Sequence, residues 1–84
     1  MHFVYLILTK KEHKFISYVG YTNNLKKRLF LHNSSKGAKF TRGKQWDYAY
    51  FKGYNSRIKA MKEEYLLKKN TKKRNMIKKE YQLN

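Results

Sequence analysis

Three observations predict an α+β fold for this 84-residue chain. Near the N-terminus stand two short apolar runs, FVYLIL and FISYVG, rich in β-branched and aromatic residues. Further on, apolar residues recur at helical spacing behind Ser, Thr and Asn cap candidates. The two kinds of segment follow one another as β-β-α-β-α-α with no internal repeat, an order that builds packed layers. The length supports one domain, residues 1–84.

Residues 3–8 read as a strand buried on both faces, because no polar residue interrupts them. Alternation sends Phe3, Tyr5 and Ile7 to one face and Val4, Leu6 and Leu8 to the other. Residues 9–14, TKKEHK, make the turn, and residues 15–20 the second strand of a hairpin. Thr22 or Asn23 caps a helix from Asn24 to His32, in which Leu25, Leu29 and His32 share a stripe. Residues 33–45, NSSKGAKFTRGKQ, read as a loop. Residues 46–52 form a third strand, ended by Gly53 and Asn55. Trp46, Tyr48 and Tyr50 suit sheet packing better than base stacking. Ser56 caps a helix that runs to Lys69. Its apolar stripe is Ile58, Met61 and Tyr65 with Leu66 beside them, and Ala60, Glu64 and Leu67 make an adjacent stripe. Thr71 caps a last helix over residues 72–83, weakly amphipathic through Met76, Ile77 and Tyr81.

Charge narrows the function. Lys and Arg number 21 against 5 Asp and Glu, for a formal net charge of +16. Such a surface attracts polyanions. Disordered basic tails lack aromatics, whereas 17% of this chain is aromatic. It therefore reads as a folded basic domain that binds nucleic acid, in preference to an anionic membrane surface. With no Cys, disulfides and thiolate metal sites are excluded. No run is long enough to span a bilayer. The N-terminal apolar stretch lacks the basic region and cleavage site of a signal peptide. A cytoplasmic, nucleoid-associated protein is expected.

Several short pieces stand in order along the chain: Phe3-Val4-Tyr5, Tyr18-Val19-Gly20, Arg28, His32-Asn33, Gly37-Ala38-Lys39-Phe40-Thr41-Arg42, Ser56-Arg57, and Ala60 with Glu64 four residues on. This string resembles the GIY-YIG nuclease superfamily. It is most similar to the small stand-alone bacterial members and to the nuclease domain of the eukaryotic structure-specific endonuclease. The resemblance covers the motif-bearing core, residues 3–69, and leaves residues 70–84 as a basic helical end. Phe3 stands where the family has Gly, and the Pro usual near Gln45-Trp46 is missing.

The resemblance implies a small three-stranded, mostly antiparallel sheet flanked by helices. It also implies a divalent-metal-dependent DNA endonuclease, structure-selective or weakly sequence-selective, working in repair or recombination. Tyr5 would help deprotonate the attacking water, assisted by His32, with Tyr18 as a second hydroxyl on the next strand. Since an unperturbed tyrosine titrates near pH 10, Tyr5 would need a lowered pKa, which a metal or the Arg28 charge could supply. Arg28 would clamp the phosphate with its planar fork. Glu64 would hold Mg²⁺ or Mn²⁺, because one carboxylate with waters and phosphate oxygens suits such an ion. Glu63 points about 100° away on the helix.

Gly20 either relieves a tight strand end or lets backbone approach the phosphate. Lys39, Thr41 and Arg42 are expected to touch the DNA backbone. So are Lys72, Lys73 and Arg74 of the C-terminal charge run. His2 and His13 read as surface residues. No base-reading motif is present, so selectivity would come from DNA shape or branching. A targeting protein partner could add to it, and the chain would be a monomer or weak homodimer with no membrane association. The competing readings are an idle nucleic-acid-binding module on the same fold and a basic structural protein. The presence of Tyr5, Tyr18, Arg28 and Glu64 together favours the enzyme.

Overall fold

The structure is a computed structural model that describes residues 1–83. It contains β1 (His2–Lys11), β2 (Lys14–Thr22), α1 (Leu25–Asn33), β3 (Asp47–Tyr54), α2 (Arg57–Lys69) and α3 (Thr71–Leu83). A short 3-10 turn at Lys39–Thr41 interrupts the expected loop. The α+β class and the element order are as predicted, and both strand pairings are antiparallel.

β1 is the central strand of a sheet ordered β2-β1-β3. That place explains its unbroken apolar run: Val4 through Leu8 are each no more than 2% exposed. Alternation divides them between two cores. Val4, Leu6 and Leu8 pack with Val19 and with Ala60, Leu67 and Ile77 of α2 and α3. Tyr5 and Ile7 pack with Trp46 and with Leu25 and Leu29 of α1. A bulge lies in the pairing of β1 with β3: Leu6 faces Tyr50 and Ile7 faces Tyr48, so Ala49 is the extra residue. Tyr48 and Tyr50 therefore join opposite cores, although simple alternation would set them on one face.

Several boundaries differ from expectation. The hairpin is tighter than residues 9–14, because pairing continues to Lys11 opposite Lys14 and leaves Glu12 and His13 as the turn. Glu12 adopts φ 59, the left-handed conformation that suits the twist of a two-residue hairpin. β3 runs through Gly53 to Tyr54. Asn24, not Thr22 or Asn23, caps α1 by accepting from Lys27 N. Thr22 Oγ1 instead accepts from Asn24 N and fixes the approach to the cap. Asn70, not Thr71, caps α3 by accepting from Lys73 N. Ser56 caps α2 as expected.

The largest correction concerns which face of α2 is inward. Ile58, Met61, Tyr65 and Leu66 are 82%, 48%, 55% and 46% exposed. The adjacent stripe of Ala60, Glu64 and Leu67 faces the sheet, where Ala60 is fully buried. A small residue there lets the helix backbone come close to the strands. Among the described residues, no helix is long and apolar enough to cross a membrane.

Candidate active site

The site grows from Tyr5. β1 carries its ring into the core shared with α1, where none of its surface is exposed. Gly20 lies opposite Tyr5 in the β1–β2 register. A Cβ at Gly20 would collide with the Tyr5 hydroxyl, so the glycine makes room for it. The Asn24 cap starts α1 just beyond β2. Arg28 and His32, four residues apart, then share the helix face that Leu25 and Leu29 seat on the sheet.

This placement produces a hydrogen-bonded cluster. The Tyr5 hydroxyl lies 2.8 Å from His32 Nε2 and accepts from Arg28 Nε at 3.1 Å. His32 is also fully buried, and its Nδ1 lies 2.9 Å from Thr41 Oγ1. Aromatic edges enclose the pair. Tyr48 meets Tyr5 at 5.5 Å between ring centroids and donates its hydroxyl to the Leu25 carbonyl. Tyr18 meets His32 at 5.3 Å. Phe40 stacks on the far side of Tyr18.

The Gly- and Ser-rich loop is ordered by polar contacts at both ends. Asn33 brackets the backbone of Trp46, accepting from its N–H at 2.6 Å and donating to its carbonyl at 3.1 Å. Trp46 Nε1 then donates to the Thr41 carbonyl. Gly37 passes under the His32 ring, where a Cβ would stand 2.6 Å from Nδ1.

The electrostatics differ from the expectation for Tyr5. Burial raises its pKa above the usual 10, and the neighbouring Tyr18 and Glu64 act in the same direction. The hydrogen bond and charge of Arg28 oppose this without overcoming it. Tyr5 is therefore a neutral hydroxyl, not a standing phenolate. His32 is lowered from 6.5 to about 4, first by burial and then by the Arg28 charge. It is neutral at pH 7.

The His32 shift has a consequence for stability. As pH falls below 6.5 the unfolded chain protonates this histidine while the folded chain resists until about 4. Folding stability is thus fully present above pH 6.5 and declines toward pH 4, by about 3 kcal/mol for this group. Urea midpoints for the chain and for His32→Gln at pH 7.5 and 4.5 check this. The pH-dependent loss should be markedly smaller in the variant, and equal losses would contradict the assignment.

Glu64 Oε2 lies 3.8 Å from Lys68 Nζ, the one ion pair among the described residues. Among the described residues, Arg28 therefore has no carboxylate partner. The Glu64 charge acts on Tyr5, whereas that of Glu63 acts on Tyr54. No group of three or more His, Cys, Asp or Glu occurs among the described residues. A cation here would rest on the Glu64 carboxylate, with water and substrate oxygens completing its shell. That donor set fits Mg²⁺.

The sequence-predicted residues divide in three. Tyr5, Tyr18, Arg28 and His32 come together, with Glu64 near enough for its charge to act on Tyr5. Lys39, Arg42, Lys72 and Lys73 lie exposed. Lys73 sits over the Tyr50 ring, while Arg74 lines a separate cleft with Tyr18, Phe40 and Lys68. Thr41 is corrected: it is fully buried and bonded to His32, so its side chain is no surface contact for DNA. Asn33, Gly37 and Thr41 stand in the motif string, but sequence reasoning missed their contacts with Trp46 and His32. The one available signal was their closeness to His32 in a loop dense in small and polar residues.

A three-stranded antiparallel sheet presenting this Tyr-His-Arg cluster defines a small α+β nuclease-type domain. The chain belongs to the GIY-YIG family: the GIY-YIG catalytic domain matches residues 1–81. A UPF0213 protein of Oceanobacillus iheyensis is 41% identical over 68 residues, 80% of this chain and 76% of its own. A UPF0213 protein of Clostridium perfringens is 40% identical over 72 residues, 84% and 74% of the two chains. The UPF0213 protein YazA of Bacillus subtilis is 36% identical over 74 residues, 87% and 72%. No solved structure matched the chain.

Proposed function

We propose that this protein is a divalent-metal-dependent DNA endonuclease that hydrolyses phosphodiester bonds. The observation that carries the reading is a buried Tyr5 hydroxyl held between a neutral imidazole and a guanidinium that has no carboxylate partner among the described residues. Such a pair can move a proton and bind a phosphate at the same place.

A tyrosine with a raised pKa does not act as a base by waiting as phenolate. The Tyr5 oxygen takes the proton of an attacking water as its own proton passes to His32, so no free phenolate forms. Arg28 clamps the phosphate. A phosphate anion beside Arg28 offsets the positive charge that helps keep His32 neutral. Substrate binding thereby makes His32 a better proton acceptor. Tyr18, in edge contact with the His32 ring, offers a second hydroxyl to the phosphate. Glu64 would hold Mg²⁺ or Mn²⁺, which supplies charge stabilisation to the reacting phosphate.

Lys39, Arg42, Lys72, Lys73 and Arg74 contact the DNA backbone in this reading, and selectivity comes from shape or branching rather than base reading. The exposed apolar stripe of α2 suits a targeting partner or weak self-association. A repair or recombination role in the cytoplasm or nucleoid accords with the family and the charge.

Glu64→Gln tests the reading. Cleavage should fall by on the order of a hundredfold or more, the scale of losing a preorganised charge at the phosphate. DNA affinity, measured in parallel, should stay within about threefold, since the long, part-exposed Glu64–Lys68 pair contributes little. Undiminished cleavage would remove Glu64 from the site.

A further inference from the structure

Thr41 is as buried as Tyr5 and His32, with none of its surface exposed. Its hydroxyl oxygen lies 2.9 Å from His32 Nδ1 and 2.8 Å from the Ala38 carbonyl oxygen. A carbonyl can only accept, so the one hydroxyl proton points at Ala38 and an oxygen lone pair faces Nδ1. Nδ1 then carries the ring proton, and in the neutral imidazole Nε2 is left as an acceptor. Nε2 faces the Tyr5 hydroxyl, whose oxygen already receives the Arg28 N–H. The Tyr5 proton therefore points to Nε2, and the Thr41 hydroxyl, both His32 nitrogens, the Tyr5 hydroxyl and Arg28 Nε are all paired.

The reverse direction fails. If Thr41 donated to Nδ1, the ring proton would sit on Nε2. The Tyr5 oxygen would then face two donors, and its own proton would have no acceptor in a buried pocket. Two backbone features hold Thr41 to its task. Trp46 Nε1 donates to the Thr41 carbonyl at 3.0 Å, and Gly37 lets the loop close against the His32 ring.

We infer that Thr41 is a positioning residue that holds His32 in the Nδ1–H tautomer and so keeps Nε2 as the acceptor of the Tyr5 proton. In the hydrolytic step, the water oxygen bonds to phosphorus as its proton goes to the Tyr5 oxygen and the hydroxyl proton goes to Nε2, while the P–O ester bond breaks and one DNA strand end leaves with that oxygen. His32 becomes an imidazolium whose Nδ1–H still rests on Thr41. The opposite tautomer would block that transfer with a proton already on Nε2. The kinetic part of this inference rests on the nuclease reading, while the tautomer part does not.

The test pairs a spectrum with a rate. Long-range proton–nitrogen NMR of the full chain at pH 7 reads which ring nitrogen of His32 is protonated. The wild type should show Nδ1 protonated and Nε2 as acceptor. Thr41→Val, close in shape but without a hydroxyl, should lose that signature. It should also cleave on the order of a hundredfold more slowly, the scale of general acid–base catalysis, with DNA affinity within about threefold. Thr41→Ser should restore both.

A wild-type His32 protonated at Nε2 would overturn the inference. So would a Thr41→Val protein that keeps Nδ1–H, or one that changes tautomer and still cleaves at the wild-type rate. Should Thr41→Val fail to fold, the wild-type spectrum and Thr41→Ser still decide. Wild-type protein that cuts no DNA would sink the nuclease reading alone, leaving the spectra to decide the tautomer.

Discussion

Replacing Tyr5 with phenylalanine is expected to slow DNA cleavage by about 10²- to 10⁴-fold, the range over which general acid–base groups act. The ring would remain in its core, in edge contact with Tyr48 and over Gly20. The lost atom is the one that accepts from Arg28 Nε and pairs with His32 Nε2. Affinity should persist, because Arg28 and the basic surface are intact. Stability should drop by about 1–3 kcal/mol, since the buried His32 Nε2 and the part-buried Arg28 Nε lose their partner. Single-turnover cleavage with saturating protein separates the chemical step from binding. A rate within about threefold of wild type would make Tyr5 a packing residue and nothing more.

Gly20→Ala should act on the same hydroxyl from beneath. Gly20 is not among the positive-φ residues, so the substitution is not opposed by the backbone. The obstacle is the Tyr5 side chain, into which a Cβ would project. Overpacking of this kind costs about 1–3 kcal/mol. For a chain of this size each kcal/mol lowers Tm by about 4–8 °C. The ring can escape only by tilting away from Gly20. That movement breaks the contacts to His32 and Arg28, so cleavage should fall together with stability. In a double-mutant cycle with Tyr5→Phe, part of the cost should vanish because the nearest colliding atom is gone. A Gly20→Ala protein with wild-type Tm and rate would show that the tyrosine does not depend on that space.

These expectations mark how far the sequence could be read. β1 was legible because a strand covered on both faces needs no polar residue, and FVYLIL has none. The stripe of Leu25, Leu29 and His32 correctly turned α1 toward the sheet. α2 misled for a physical reason: its more apolar stripe faces outward, and close approach to the strands is made through Ala60. Hydrophobic spacing ranks faces by apolarity, whereas packing against a sheet also selects for small size. The bulge at Ala49 was invisible, because alternation cannot register one inserted residue.

The site was half legible. Tyr5, Tyr18, Arg28 and His32 are distant in sequence and meet in the fold as the family resemblance implied. The supporting residues were not. Thr41 in a basic loop looks like a surface contact, and nothing local shows that it turns inward to His32. Gly37 looks like loop punctuation until the ring above it is seen. The Tyr5 pKa was expected to fall because a cation was near. Burial outweighs that cation, and the depth of a side chain is a property of the fold, not of the string.

The central claim is that this cluster hydrolyses DNA. It is tested most directly by incubating the purified chain with labelled duplex, flap, junction and single-stranded DNA, in Mg²⁺, in Mn²⁺ and in EDTA. The account predicts metal-dependent cutting of at least one of these DNAs and none in EDTA. Tight binding to DNA with no cutting in either metal would contradict it and identify the chain as a nucleic-acid-binding module on a nuclease fold.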